Sequence, residues 1–367
     1  MIAYYISAHG FGHAARAAEV IRALPWDVPV LVRTGVPQWF LRQATAGRPF
    51  DYEPAVFDSG VIGPDSSRTD VAATVEHTER VLEDNVERFH PEVDLLRHRA
   101  ARLVVTDIVP FATAVARAAG VPSVVIANFL WTNIYAHLRD HYTPCTAFRR
   151  RLDRIIDHMQ AEYDQGDLLL TPDMAVPMRA CGHQQATPLI ARHGRPRRRM
   201  LAEGLGLDPN RPIYLLYLGR NSIEGMHWQN IDRLAGLQLV GYAVPPGAET
   251  LVHHLPDRLM DHADAAASVD AVVAKPGYGI CSECVAARTP LFYPPRPDFV
   301  EIRAIGDLMR RWGGGACMPA EDFLHLNWRP YLQRAERLRR TMRPIECSGA
   351  LACARHILSL YPVQRFQ

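Results

Sequence analysis

AVVAKPGYGICSECVAARTP, residues 271–290, passes from an apolar run through Pro276, Gly277, Tyr278 and Gly279 into a segment of helical spacing. With Val269 and Asp270 ahead of it, the run reads as a buried parallel-type strand, being short, rich in valine and bounded by turn residues. The spacing predicts a helix that starts near Cys281 or Ser282. A strand, a glycine loop and a helix N-terminus in succession make a phosphate cradle: first-turn amides lack partners within the helix, the helix dipole favours an anion, and glycine lets the backbone approach. At the strand end stands Lys275, the only lysine among 41 Lys+Arg. It reads either as a compact point charge for an anion, where a guanidinium fork would bring bulk, or as a surface residue. Glu283 repels a phosphate, but such a carboxylate accepts hydrogen bonds from ribose hydroxyls in dinucleotide folds; it is equally a favourable acid near a helix start. Cys281 and Cys284 form a lone CxxC, and helical spacing reads them as small core residues rather than metal ligands.

Outward from this unit the chain alternates strand and helix. Downstream of Pro212, PIYLLYLG (212–219), LQLVGYAV (237–244) and PLFYP (290–294) read as strands, with helices at Asp257–Ala267 and Ser282–Ala287. Upstream, Ile2–Ser7, VPVLVRTG (28–35), Leu103–Val105, Val121–Ala127 and Asp167–Pro172 read as strands, with helices at Ala15–Leu24 and Phe111–Ala119. Repeated βαβ units predict parallel sheets covered on both faces. The polar, arginine-rich stretch from Pro188 to Leu207 separates the two series. The expected organisation is an N-terminal domain over 1–188, a linker over 189–207, a second domain over 208–345 and a C-terminal helix within 346–367. Arg195–Arg199 reads as a solvated connector, with an anion-binding arm as the alternative.

Composition narrows the partners. The 367 residues, 48% hydrophobic and 22% charged, suffice for about two packed domains. A formal net charge of +2 calls for no nucleic acid, while leaving room for a local anion site. The seven cysteines are scattered and odd in number, which fits reduced thiols and a cytoplasmic location. No export signal is read at the N-terminus. The longest apolar region, Leu103–Ala127, is broken by Asp107, Arg117 and two prolines, so no transmembrane segment is expected.

The other chemical signal is SAHGFGHAARAAEVIRAL, residues 7–24, where a glycine turn carrying His9 and His13 links the first strand to a helix. Gly10, Gly12 and Ala15 fit a loose dinucleotide fingerprint, yet no acid about 20 residues on closes a following strand. A histidine there lies at the carboxyl edge of the sheet, where open α/β folds place ligands, and its near-neutral pKa suits proton abstraction; a structural histidine is the alternative.

With HGFGH after the first strand and KPGYGICSE after a later one, the chain resembles GT-B glycosyltransferases: two Rossmann-like doubly wound α/β domains facing across a cleft. YYISAHGFGHAARAAEVIRAL, LVVTDIVPFATAVARAAGVPSVVIANFLWTNIYA (103–136) and PRPDFVEIRAI look most like the glycosyltransferase-like N-terminal half of the L-arabinokinases, over nearly the whole chain. The peptidoglycan N-acetylglucosaminyltransferases and plant-type glycosyltransferases are more distantly similar. The arabinokinases also carry a sugar-kinase domain for which no residues remain here, so sugar phosphorylation is not carried over. The resemblance implies a nucleoside diphosphate sugar, such as a UDP sugar, and a small-molecule acceptor, joined with inversion and without a metal cofactor; the sequence has no Asp-x-Asp. It implies His13 as the base and Asp107 as its orienting carboxylate. Donor diphosphate contacts fall on Gly219, Arg220, Asn221 and Ser222 and on Lys275, Gly277, Tyr278, Gly279 and Ser282. Glu283 falls on the ribose, His254 and Leu255 near the nucleobase, and Asp298 and Glu301 on the donor sugar. His9, Phe11, Asn128, Trp131 and Tyr135 are expected on the acceptor side, with core packing as the alternative for the last four. Nucleotide-sugar 2-epimerases and hydrolases, or a non-catalytic nucleotide-sugar binder, remain alternatives on the same fold.

Overall fold

Strands buried on both faces are apolar over most of their length, and four runs of this kind form the centres of two sheets. In the computed structural model, residues 1–63, 69–142, 145–218, 225–296 and 299–361 are described. The chain divides into two units, one built from residues up to 190 and again from 347 onward, the other spanning 191–346.

The first unit holds a seven-stranded sheet: β1 Ile2–Ile6, β2 Val30–Arg33, β3 Asp51–Glu53, β4 Leu103–Asp107, β5 Ser123–Ile126, β6 Leu168–Pro172 and β7 His183–Thr187, in the order β3-β2-β1-β4-β5-β6-β7. All its pairings are parallel, with Ile6 beside Asp107 at the carboxyl ends of β1 and β4. The order runs one way from β1 to β3 and the other way from β4 to β7, so the β1/β4 junction is the topological switch point where such sheets open a crevice. Ala3, Tyr5, Val104, Phe111 and Val115 pack with Phe57 and Val93 in one core, each large apolar side chain contributing about 1.5–3 kcal/mol by burial.

The second unit holds β8 Ile213–Tyr217, β9 Gln238–Gly241, β10 Val252–His254, β11 Ala271–Ala274, β12 Leu291–Tyr293 and β13 Gly315–Cys317, all parallel, in the order β10-β9-β8-β11-β12-β13. Its switch point is the β8/β11 junction, where Tyr217 pairs with Ala274. Both sheets are therefore doubly wound.

Several boundaries differ from the sequence expectation, each for a local reason. The first helix runs Phe11–Ala23, not from Ala15, with Gly10 as its N-cap at φ 81°; His13 therefore sits on the helix's first turn rather than in the preceding loop. The helix after β11 runs Tyr278–Ala287, so Tyr278 and Gly279 are helical, because glycine within a turn lowers helix stability without stopping it. The helix expected from Asp257 begins at His262, where Asp261 caps it by accepting from the Asp264 amide at 2.8 Å. The 189–207 stretch is not a free connector: Arg198–Leu205 is helical, and the Arg198 guanidinium lies 2.7 Å from Asp270 and that of Arg197 3.1 Å from Asp264. The final helix, Gly349–Leu360, returns to the first unit and packs on Phe11–Ala23.

Candidate active site

The switch point of the first unit gathers charge that the sequence separates widely. Asp107 ends β4 and is fully buried. Its Oδ1 lies 2.8 Å from His13 Nδ1 and accepts from Arg16 Nη2 at 2.7 Å, while Oδ2 accepts from Arg16 Nε at 2.8 Å. Arg16 Nη1 donates to Asn128 Oδ1. Burial pushes the Asp107 carboxyl up, but the charge and hydrogen bonds of Arg16, joined by those of His13, outweigh it and hold the group below the usual carboxylate range. An ionised carboxylate only accepts, so the proton between them belongs to His13 Nδ1, and in the neutral form of the ring the lone pair is on Nε2. The arrangement is able to take a proton from a hydroxyl brought to Nε2.

The backbone after Asp107 is strained to hold this geometry. Ile108, β-branched, has φ 59°, a conformation that costs such a residue on the order of 1–3 kcal/mol. Tyr163 Oη donates to its carbonyl at 2.5 Å, and Thr106 Oγ1 accepts from the Val109 amide at 2.9 Å. Around His13, the Phe129 ring stands edge-on at 5.6 Å and Trp131 at 6.3 Å. Trp131 Nε1 donates to buried Asp58 at 2.8 Å; burial raises the Asp58 carboxyl, partly offset by bonds from Trp131, Ser7 and Ala8.

His9 is exposed as a residue, but its ring packs on Trp131 at 5.4 Å and on Gly60. Burial, with help from the His13 charge, pushes it down to about 4, so it is a neutral imidazole at neutral pH. Gly60 is obligatory here: its φ is +64°, and a Cβ would lie 2.1 Å from His9 Nδ1. Gly60→Ala is expected to cost about 1–2 kcal/mol from backbone alone and to turn the His9 ring out into water. Chemical denaturation reads the first effect; histidine NMR reads the second as a His9 titration rising from about 4 toward the ordinary range.

In the second unit the β8/β11 switch point carries the glycine loop. The Lys275 amide donates to the Tyr217 carbonyl at 3.3 Å, fixing the strand end that bears the lysine. Among the described residues no side chain caps the helix that follows, and a Cβ on Gly277 or Gly279 would meet nothing within 4 Å. Arg296 Nη1 donates to the Pro276 carbonyl at 3.2 Å, with its guanidinium 3.9 Å over the Phe299 ring. Farther along the helix, buried Glu283 accepts from Arg192 Nε at 2.7 Å. Beside this pair Tyr217, Tyr242 and His262 form an aromatic cluster with ring centroids 4.3–6.4 Å apart. Burial, then the Arg192 charge, pushes His262 down to about 4; its Nδ1 and Tyr217 Oη lie 3.0 Å apart, a hydrogen bond whose donor is set by the tautomer of the ring.

The solved calicheamicin glycosyltransferase CalG4 is similar to this chain with a TM-score of 0.63, at 15% identity over 98% of each chain. UGT89C1 of Arabidopsis thaliana, solved with quercetin, matches at a TM-score of 0.63 and 12% identity over 98% of this chain and 99% of its own. The fold is GT-B. No family model matches the chain. L-arabinokinase of Arabidopsis thaliana is 28% identical in an alignment 357 residues long that covers 92% of this chain and 32% of that protein, so the chain spans about a third of its relative's length.

Within the GT-B fold the expected site residues separate clearly. His13 and Asp107 are brought into contact, and Lys275, Gly277, Tyr278 and Gly279 share one switch point. Ser282 instead lies buried in the helix's second turn, its hydroxyl donated to the Gly279 carbonyl at 2.8 Å. Leu255 is fully buried with its amide on the Gly241 carbonyl at 2.9 Å, so its side chain is core; His254 is exposed in a shallow cavity of about 490 Å³ that also takes in Leu205 and Val244. Glu301 is buried at the start of the helix Ile302–Trp312. Of the residues expected on the acceptor side, three are buried: Asn128 accepts from Arg16, Trp131 donates to Asp58, and Tyr135 Oη bonds the Gly60 carbonyl at 2.9 Å. Phe11 is 49% exposed and stacks on Phe40 at 4.5 Å. Gly219, Arg220, Asn221, Ser222 and Asp298 lie outside the described residues.

Sequence reasoning missed Arg16, Asp58, Arg192 and the Tyr217/Tyr242/His262 cluster. For Arg16 a signal existed: it follows His13 by three residues in an alanine-rich helix, which puts both on one face. Among the described residues, no group of three or more His, Cys, Asp or Glu is placed to hold a metal ion, and no helix is long and apolar enough to cross a membrane.

Proposed function

We propose that the protein is a cytoplasmic glycosyltransferase that moves a sugar from a nucleoside diphosphate sugar to a hydroxyl of a small-molecule acceptor, with inversion. The observation that carries this reading is the 2.8 Å contact of His13 with a buried carboxylate at a sheet switch point, in the GT-B fold. The acceptor O–H gives its proton to His13 Nε2; the oxygen bonds to the anomeric carbon as the bond to the diphosphate breaks from the opposite side. Charge growing on the leaving diphosphate is met by Lys275, the amides at the start of Tyr278–Ala287 and residues Gly219, Arg220, Asn221 and Ser222, without a metal. Asp298 and Glu301 hold the donor sugar, and His254 lies toward the nucleobase. His9 and Phe11 border the acceptor. The 28% identity with L-arabinokinase supports a shared nucleotide-sugar domain; sugar phosphorylation is no part of the proposal.

Glu283 takes the ribose in this reading while also holding Arg192. Glu283→Gln keeps the side chain's shape and removes its charge, so nucleoside diphosphate affinity is expected to fall about tenfold, the scale of a lost hydrogen bond to a charged group. Calorimetric affinity equal to wild type would count against the ribose role. The reaction itself is tested by supplying a panel of nucleoside diphosphate sugars with and without hydroxylic acceptors. Nucleotide release that requires the acceptor, with an inverted glycoside by NMR, supports transfer. Release without acceptor marks a hydrolase, a C2-epimerised sugar an epimerase, and binding with no turnover a non-catalytic binder; each overturns the proposal.

A further inference from the structure

Asp107 is shared. Its Oδ1 serves both His13 Nδ1 and Arg16 Nη2, its Oδ2 serves Arg16 Nε, and the guanidinium is steadied from the far side by Asn128. Arg16 is only 5% exposed, so this fork is paired inside the protein and not on its surface. We infer that Arg16 is a positioning residue for His13: it clamps Asp107 in one orientation and cancels enough of its charge to keep the imidazole neutral until an acceptor arrives. The coupling stands on geometry alone; its catalytic consequence rests on the reading of His13 as a base.

Charge counting gives the reason. With Arg16 present and His13 neutral, the buried cluster is balanced, and protonating His13 leaves one uncompensated positive charge. Without Arg16 the balance reverses, and protonation of His13 is what neutralises Asp107. The other groups around the cluster do not supply this control. His9, in the turn before the helix, is pushed down to about 4 by burial and by His13. Tyr4 on β1 and Cys353 on the last helix are both pushed up by burial, Cys353 to about 12, and stay uncharged at neutral pH. Asp58, a second buried carboxyl, faces His13 from the segment after β3; burial raises it, and whatever charge it keeps is common to wild type and every Arg16 variant. Phe129 and Trp131 present uncharged rings.

The test follows the His13 ring by NMR in full-length, histidine-labelled protein, assigned by its loss in His13→Gln, beside the pH profile of kcat/KM. In Arg16→Met the His13 titration is expected to move to higher pH by about one unit or more, the effect of removing a neighbouring unit charge, and the acid limb of kcat/KM to move with it. Arg16→Lys keeps the charge but not the fork, so its titration stays within about half a unit of wild type while kcat falls about tenfold. Arg16→Met with Asp107→Asn removes both charges and returns the titration toward wild type. An unmoved His13 titration in Arg16→Met, or wild-type turnover in Arg16→Lys, overturns the inference. If Arg16→Met does not fold, the lysine and double variants decide it by the same readouts. A His13 titration that follows Arg16 in a protein whose turnover ignores His13 would keep the coupling and remove the transferase reading.

Discussion

Replacing His13 by alanine is expected to lower turnover on the order of a hundredfold or more while leaving nucleoside diphosphate affinity within about twofold, since donor binding in this reading draws on other residues. The loss falls on kcat because the Nε2 lone pair is used only as the acceptor oxygen begins to bond to the anomeric carbon. The substitution is also mild toward the fold. Asp107 keeps both bonds from Arg16, so no buried carboxylate is stranded, and the vacated space is bordered by Phe129 and Trp131. The measurement is kcat at saturating donor and acceptor, with His13→Gln as a variant of similar bulk. Turnover equal to wild type in both would take His13 out of the mechanism.

The parts of this architecture that were legible in the sequence are those whose physics is local. β1, β4, β8 and β11 are covered on both faces, so they read as unbroken apolar runs, and the two glycine turns follow two of them directly. The long helix Val71–His98 left no such trace. Its buried face includes Thr74, Thr78, Asn85 and Glu92; Glu92 is spent on Tyr5 and Arg33, a polar tether that hydrophobic periodicity does not register. β7 escaped for the opposite reason: as an edge strand, His183–Gln185 and Ala186 stay exposed. In the site, the His13–Asp107 contact was reachable because Asp107 ends one recognisable strand and His13 begins the helix that follows another. The direction of a side chain was not: Asn128, Trp131 and Tyr135 are buried, with polar atoms bonded to Arg16, Asp58 and Gly60. For Arg16 the shared helix face with His13 was legible, but its two partners, Asp107 and Asn128, are brought to it only by folding.

Asp107→Asn is the substitution expected to strike function and stability together. An amide in place of the carboxylate can donate to His13 Nδ1, which favours the tautomer with its proton on Nε2, the atom that must accept; turnover is expected to fall on the order of a thousandfold or more, as when a triad carboxylate is amidated. The same change leaves Arg16, whose side chain is 3% exposed, buried without its counter-charge, at a cost of about 3–5 kcal/mol. The pH dependence separates the two effects. Because the folded Asp107 carboxyl lies below its usual range, its contribution is fully present above the unfolded carboxyl's value of about 3.9 and is lost as pH falls through the lower folded value. Wild type and variant should therefore differ in unfolding free energy by a constant amount near neutrality and converge in acid, while the turnover deficit persists wherever both are folded. Denaturant titrations across that window, paired with kcat at neutral pH, read both. A stability difference that stays constant into strong acid would mean that Asp107 is not held ionised by Arg16, and with it would go the argument that His13 carries its proton on Nδ1.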